Sequence, residues 1–521
     1  MRHNKVSEDR HIAHNVEIES IGSEGMSVSH IDGKVCFIPY GAVGDIVDLE
    51  IVRKKRHYLE GKIISFQKKS ESRREAVCKH FSVCGGCKWQ HINYEAQLQA
   101  KQQTVIDNLT RIGGLILPEV EDICGCDKEF FYRNKLEFTF SNRRWLNKEE
   151  MSVENVNKNA LGFHIPGMFD KVLGIDECFL QEDCQSLEKK IPFSDASNPF
   201  SADISQKNIS NRIRNFLKEY AFNLQSNGEN IFYDIREHIG FLRNIIIRTT
   251  TIGDVMLLVV FGEEKTEEIE KLLSTVKEKF PEITSLQYVL NTKFNDTIGD
   301  LDIINYFGKE YIVEEMNVIT NQNNISENID NTLDSISKKL KFKIGAKSFY
   351  QTNSKQAEKL YSIAAEFADL QGEELVYDLY TGAGTIAQYV SSKAKKIIGI
   401  EYVESAIEDA KDNAKFNDID NCEFYAGDMA KILNDDFVLK HGKPSVIITD
   451  PPRAGMHPDV VAQILKIQPE KIVYVSCNSA TQARDLSLMK DVYEVKRVCS
   501  VDMFPQTHHI ENVVLLEIIK S

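Results

Sequence analysis

At 521 residues the chain is long enough for three or four units, each with its own core. A composition of 42% apolar and 27% charged residues excludes a disordered or fibrous protein. A net charge of -15 argues against a protein that coats nucleic acid nonspecifically.

Met1-Arg-His-Asn opens into polar sequence and no apolar run is long enough to span a bilayer. The expectation is therefore no signal peptide, no membrane contact and a cytoplasmic address. Eleven cysteines in so long a chain are not a disulfide framework; clustered, they point to metal binding or catalysis.

The charge is uneven. Residues 51–74 hold nine Lys and Arg against Glu60 and Glu71, whereas residues 181–340 hold 17 basic against 26 acidic residues. A basic run is most often a solvated face, so by itself it leaves RNA binding at even odds. From Val16 to Phe66, short alternating strands are broken by Gly22, Gly25, Asp32-Gly33, Gly41, Gly44 and Gly61, which predicts a small OB-type β-barrel. Phe37, Tyr40 and Tyr58 beside Arg53-Lys-Lys-Arg-His57 would pair stacking surfaces with phosphate-seeking charge. This stretch resembles the TRAM domain, an RNA-binding barrel of several RNA-modifying enzymes.

Cys78, Cys84 and Cys87 follow within ten residues, the last two as CxxC around two glycines that let the backbone fold tightly. A fourth ligand must come from elsewhere: Cys178, Cys184 or the Cys124-Gly-Cys126 pair, with His80 as an outsider. Four cysteines hold zinc or an iron–sulfur cluster, and spacing leaves both open. The spacing is not the CxxxCxxC of radical enzymes.

A helix is expected over Glu95–Ile112 and another over Lys265–Phe280. Between them, Phe130–Phe140, Ile231–Asp234, Phe241–Arg248 and Val255–Phe261 read as antiparallel strands with one buried face. Tyr132, Arg133 and Lys135 are candidate RNA contacts, although alternating aromatics are more often core. Residues 321–340, rich in Asn, Ser and Asp, read as a polar connection.

The last part alternates strands with helices. Leu375-Val-Tyr-Asp-Leu-Tyr-Thr-Gly-Ala-Gly384 is a strand entering a glycine turn, and Lys396–Glu401 is a strand ending in a carboxylate suited to ribose hydroxyls. Nicotinamide and S-adenosylmethionine sites are both built this way. The later strands decide between them. One ends in Asp428, appropriate for an adenine amino group, and the next ends in Asp450-Pro-Pro, whose prolines stiffen a loop where Asp450 can accept from a planar nucleobase.

The following strand, Ile472–Val475, ends at Ser476-Cys477-Asn478, where open α/β sheets bind ligands. A final turn into a strand returns Glu511 to the same edge. A thiol, a base-holding carboxylate and a second carboxylate beside a methyl-donor pocket suit methylation of uracil at C5. A thiolate adds to C6, the enolate takes the methyl group, and a base removes the C5 proton. Cys477 is the candidate nucleophile and Glu511 the candidate base, with His508 and His509 in reserve.

These motifs, together with Phe349-Tyr-Gln-Thr-Asn353 and His509-Ile-Glu511, resemble bacterial RNA (uracil-5-)-methyltransferases over nearly the whole chain, specifically the iron–sulfur branch that modifies 23S ribosomal RNA. The resemblance implies that Gln351, Tyr380, Glu401, Asp428 and Asp450 serve the S-adenosylmethionine site. It also implies a [4Fe–4S] cluster on Cys78, Cys84, Cys87 and Cys178. One departure is Ser479, where the family usually has proline after Cys-Asn.

The expected architecture is a TRAM-like barrel over 1–68, a central α+β RNA-binding domain with the four-cysteine cluster over 69–340, and a Rossmann-like α/β methyltransferase domain over 341–521. The partner is RNA, 23S ribosomal RNA ahead of transfer RNA, with no obligate protein partner evident and a monomer as default. The rivals are a nicotinamide-dependent oxidoreductase and an RNA-binding scaffold without catalysis.

Overall fold

Turn chemistry and alternation in the first seventy residues produce a six-stranded sheet: β1 (Ile12–Glu17), β2 (Ser20–Ile21), β3 (Ser27–Ile31), β4 (Lys34–Ile38), β5 (Ile46–Lys54) and β6 (Tyr58–Lys68). Its order is β1-β5-β6-β4-β3-β2, and the Glu19 N–H donates to Val28 O, folding the end of β1 back onto β3. That closure removes the free edge and encloses Ile18, Cys36, Ile38, Val47, Leu49 and Leu59. The computed structural model describes residues 11–182, 208–225, 230–319 and 336–520.

After the barrel, a cysteine loop leads to α1 (Tyr94–Asp107), whose N-cap Asn93 accepts from the Ala96 N–H. A central seven-stranded sheet follows, ordered β13-β12-β11-β10-β7-β8-β9. Its strands are β7 (Lys135–Ser141), β8 (Ala160–Ile165), β9 (Met168–Gly174), β10 (Leu242–Thr249), β11 (Val255–Phe261), β12 (Ser285–Leu290) and β13 (Ile304–Gly308). The helices α2 (Ile209–Gln225) and α3 (Thr266–Lys279) cover one face.

β10 pairs antiparallel with β7 and β11, as expected, but three expectations for this region need correction, and β12 was not foreseen. β10 and β11 are buried on both faces, because the side without α2 and α3 lends Ile246, Met256, Leu258 and Val260 to the core of the C-terminal half. β11 and β12 pair in parallel, joined by the crossover helix α3. Ile231–Asp234 makes only isolated bridges, Phe232 with Leu242 and Asp234 with Ile239. Phe130–Asn134 stays outside β7, and the Arg133 N–H donates instead to Leu180 O.

The expected polar connection over 321–340 lies outside the described residues up to 335, and its last five residues belong to a strand. That strand, β15 (Ile336–Gly345), pairs with β14 (Tyr311–Ile319) as an antiparallel hairpin.

The C-terminal half is a doubly wound sheet ordered β18-β17-β16-β19-β20-β22-β21. The strands are β16 (Leu375–Leu379), β17 (Lys396–Glu401), β18 (Cys422–Ala426), β19 (Val446–Thr449), β20 (Lys471–Ser476), β21 (Tyr493–Val501) and β22 (Glu511–Ile518). The first five run parallel, whereas β22 is antiparallel to β20 and to β21. Helices α4 (Ser354–Ala368), α5 (Thr385–Val390), α6 (Glu404–Phe416), α7 (Met429–Ile432), α8 (Asp435–His441), α9 (Pro458–Ile467) and α10 (Ser479–Ser487) connect and cover it. The near-continuous apolar strands reflect burial on both faces, as parallel sheets require. Strand order reverses between β16 and β19, which places the ligand crevice at their carboxyl ends.

Candidate active site

The crevice starts with the loop after β16. Tyr380, Gly382 and Gly384 all have positive φ, at 62°, 54° and 73°. A Cβ on Gly384 would meet the Phe424 ring at 2.9 Å, while nothing lies within 4 Å above Gly382. The first glycine of the pair therefore leaves room for a ligand, and the second serves helix packing.

Asp378 straps this loop, accepting from Thr381 Oγ1 at 2.5 Å and from the Ala387 N–H at 3.2 Å. Burial, and less strongly the Glu401 charge, pushes its carboxyl up to about 7. Glu401, at the end of β17, accepts from the Gly382 and Val403 N–H groups at 3.2 and 3.0 Å. Its carboxylate is thereby fixed at the mouth of the crevice.

On the other side of the reversal point, Asn478 caps α10 by accepting from the Ala480 N–H, and its Nδ2 donates to Arg453 O at 3.0 Å. Thr481 Oγ1 donates to the same carbonyl. The Asp450-Pro-Pro-Arg453 loop is thus clamped to the turn that presents Cys477. Ser476 pairs with Asn512 across the antiparallel β20–β22 ladder, so Cys477 and Glu511 sit side by side where their strands meet the crevice. Ser479, in place of the expected proline, is buried and accepts from Asn108 Nδ2 at 2.8 Å.

Burial pushes the Cys477 thiol up to about 11, reinforced by the Glu511 and Asp450 charges and opposed by Arg453. Burial and the neighbouring Asp378 push Asp450 up to about 7. Glu511 is raised well above the usual carboxylate range by burial and then by Asp450, with Arg453 again in opposition. Its Oε2 is buried without a hydrogen-bond partner. A thiol and two carboxyls whose charged forms burial disfavours therefore face one another, and the Arg453 guanidinium opposes the shift at Cys477 and Glu511.

One cavity of about 1130 Å³ joins these groups. Gln351, Tyr380, Glu401, Asp450, Cys477 and Glu511 all line it. Asp428 does not; it caps α7, accepting from the Ala430 N–H, pairs with Lys431 at 3.4 Å, and its charge is felt at Tyr380. His508 and His509 are likewise outside the lining. Burial and then His508 drive His509 down to about 3, so it is a weak base as well as a misplaced one.

Arg133, Phe349, Tyr361, Arg453 and Phe504 also face the cavity. The sequence offered Arg133 only as one of three RNA contacts and Phe349 only as a motif member. Of the other two expected contacts, Tyr132 is buried and donates from its hydroxyl to Pro505 O at 2.9 Å, and Lys135 stands on β7 away from the cavity.

The cysteines resolve differently from their spacing. Cys178, after β9, sits with Cys78, Cys84 and Cys87, and packs with Cys78 and Cys87 against Phe130, Tyr132, Phe179 and Leu180. Burial raises all four thiols, Cys78 to about 12 and Cys84 to about 11, and the Cys178 charge adds to the rise at each of the other three. Among the described residues, no three His, Cys, Asp or Glu converge tightly enough to hold one metal ion. Cys126 instead takes a contact from Asn353 Nδ2 at 3.5 Å, and Cys184 lies outside the described residues.

Comparison with known proteins follows the same lines. A family model described as tRNA (Uracil-5-)-methyltransferase matches residues 315–519, and a TRAM domain model matches residues 14–64. A Bacteroides thetaiotaomicron protein called an uncharacterized RNA methyltransferase is 50% identical over 503 residues, 96% of this chain and 100% of that one. A Porphyromonas gingivalis protein of the same description is 49% identical, over 96% of this chain and 99% of its own. Among solved structures, the Pyrococcus abyssi tRNA (uracil-54, C5)-methyltransferase in complex with S-adenosyl-L-homocysteine aligns at 25% identity and a TM-score of 0.66, covering 97% of this chain and 100% of that chain.

Proposed function

This chain belongs to the RNA (uracil-5-)-methyltransferase family, and from that premise we propose that it methylates C5 of a uridine in 23S ribosomal RNA with Cys477 as nucleophile and Glu511 as base. The observation that carries the reading is the shared cavity: Cys477 and Glu511 on adjacent strand ends, with Asp450 beside them and the Gly382–Glu401 wall beyond. Its volume of about 1130 Å³ exceeds that of a single small-ligand pocket, in keeping with two reactants meeting there. A uridine must leave its stack to reach such a site.

S-adenosylmethionine, when bound, supplies the methyl group; Gln351, Tyr380, Glu401 and Asp450 would hold it, with Asp428 acting from behind. Cys477, once its thiol has given up its proton, forms a bond as thiolate from sulfur to C6, and the electron pair of the C5=C6 bond moves through C4 onto the carbonyl oxygen O4 as an enolate. After C5 has gained its methyl group, Glu511 takes the C5 proton, the double bond re-forms and the sulfur leaves as thiolate. Arg453 lowers the cost of the charged forms of both groups.

The test is direct. Cys477→Ala should abolish methyl incorporation while S-adenosylhomocysteine still binds, and 5-fluorouridine RNA should trap a covalent complex through residue 477. Full activity in that variant would end the mechanism.

The four grouped thiols fit a [4Fe–4S] cluster by donor type, and Cys78, Cys84, Cys87 and Cys178 would hold it. When bound it would staple the cysteine loop to the segment after β9. Protein purified without oxygen should be brown and contain iron; a colourless preparation with stoichiometric zinc contradicts this.

A second reading keeps the chemistry and changes the RNA. The P. abyssi neighbour is named for uracil-54 of transfer RNA, so a transfer RNA loop is the alternative substrate. Mapping 5-methyluridine in cells with and without the gene separates them: loss from 23S ribosomal RNA supports the first, loss from transfer RNA only the second. Either substrate gives the enzyme a cytoplasmic address. Among the described residues, no helix is long and apolar enough to cross a membrane.

A further inference from the structure

Between β21 and β22 runs a turn, Asp502–Ile510, that places Phe504 on the cavity wall and ends at Glu511. Its sharpest point is Gln506, a fully buried residue with φ at 68°. Glutamine has no local reason to adopt that conformation, and such residues persist where their surroundings over-determine them.

The surroundings do so here with every polar atom. The Gln506 N–H donates to Gln97 Oε1 at 2.8 Å, and Gln97 Nε2 donates back to Gln506 Oε1 at 3.1 Å. The Lys88 and Trp89 N–H groups, directly after Cys87, both donate to Gln506 O, at 2.8 and 3.1 Å. Arg74 Nη2 donates to Gln506 Oε1, and Gln506 Nε2 donates to Glu129 Oε2 at 3.0 Å. The partners come from the post-barrel segment, the cysteine loop, α1 and the approach to β7, whereas Gln506 belongs to the catalytic sheet.

The same turn receives further anchors on either side. Lys101 Nζ donates to Phe504 O, and the Tyr132 hydroxyl to Pro505 O. Thr507 Oγ1 donates to Phe504 O at 2.7 Å, closing the turn on itself. Phe504 in turn stands 5.7 Å from the Arg133 guanidinium, so the acceptor-side wall is set by how this turn docks.

We propose that Gln506 is a positioning residue: by latching the Phe504 turn onto α1, Glu129 and the cysteine loop, it fixes the acceptor wall beside Cys477 and Glu511 and makes turnover depend on docking of the N-terminal half. The inference rests on the assigned nucleophile and base. Glycine at 506 suits the positive φ but has no side chain; asparagine suits it too but is one methylene too short to reach both Gln97 and Glu129. A merely structural role would therefore be relieved by these two residues, and a latch would not.

The experiment uses full-length protein purified without oxygen. Gln506→Gly and Gln506→Asn should bind S-adenosylhomocysteine within about twofold of wild type, since Gln506 makes no hydrogen bond to Gln351, Tyr380, Glu401 or Asp450. Their kcat on RNA, and their rate of covalent capture of 5-fluorouridine RNA, should fall roughly ten- to a hundredfold, the range expected of a small misplacement. Gln97→Ala, which cuts the latch from the far side, should show the same pattern more weakly and carries the test if residue 506 tolerates no change.

Wild-type capture rates in these variants would overturn the latch. So would activity that follows thermal stability, recovering in Gln506→Gly. Failure of the wild-type enzyme itself to form the covalent complex would instead overturn the mechanism on which the latch rests.

Discussion

The two walls of the catalytic cavity are built on different scales. The glycine-loop side of the donor wall is local: Asp378, Thr381, Gly382 and Glu401 hold one another within two dozen residues of chain. The acceptor wall is assembled from afar, Gln97 meeting Gln506 across 409 residues and Lys101 meeting Asp502 across 401. A wall of the first kind can form with the sheet itself. A wall of the second kind exists only after the N-terminal half has docked, so binding of donor and capture of RNA should separate under mutation.

The sharpest way to break this contrast is Asp450→Asn, at the point where both walls meet. Activity should fall roughly a thousandfold, because Asp450 is the carboxylate held between the donor and the base. Stability should move the other way at alkaline pH. Asp450 and Asp378 are raised to about 7 and Glu511 lies well above the usual carboxylate range, so the folded protein binds protons that the unfolded chain has released. Stability from these groups is therefore lost as pH rises from about 4 through 7. Thermal melts of the unliganded enzyme should show that decline, and Asp450→Asn should flatten it; a slope unchanged by the substitution would refute the assignment.

The next largest effect is on docking. Lys101 and Asp502 form an ion pair with both side chains at zero exposure and a separation of 2.6 Å. Lys101→Met leaves Asp502 charged and unpaired, at a cost of about 3–5 kcal/mol. Chemical denaturation should register the loss, and Lys101→Met with Asp502→Asn should recover part of it. Donor affinity in the surviving folded protein should be untouched if the walls are independent.

Reading the chain without its fold reached one wall better than the other. The limits of β17 and the ends of β16, β19 and β20 were legible because buried parallel strands are continuous apolar runs bounded by turns. Cys477 and Asp450 were legible as candidates because each follows the end of such a strand, and Glu511 because it opens the strand after the final turn. Gln506 and Lys101 left no signal: one glutamine and one lysine among many acquire meaning only from partners about four hundred residues away. Ile231–Asp234 alternates like a strand yet finds no continuous ladder, and Asp428 ends a strand yet turns to cap α7. In the first, a local pattern was overridden by tertiary context; in the second, a nearer local partner, the Ala430 N–H, takes the carboxylate.

A third measurement sharpens the contrast by pH. With the Cys477 thiol at about 11, the thiolate fraction is small at neutrality and grows with pH. The rate of covalent capture should rise about tenfold per pH unit between roughly pH 6 and 8. Arg453→Gln, removing the charge that opposes the shift, should displace the profile to higher pH. A flat profile would mean that the thiol is already ionised and that its burial is relieved by bound RNA.

The smallest effect on chemistry is expected furthest from both walls. Lys54, Lys55 and Arg56 lie exposed at the tip where β5 turns into β6. Removing one phosphate-binding cation there should lower the salt dependence of RNA binding by about 0.7 for single-stranded RNA. Replacing all three with glutamine should therefore weaken RNA binding and flatten its salt slope by up to roughly two, with kcat at saturating RNA unchanged. The latch makes that last clause informative. If barrel charges only recruit RNA, kcat holds; a fall in kcat would mean that RNA held at the barrel acts on the catalytic turn, where Gly25 already lies against His508 and Trp89.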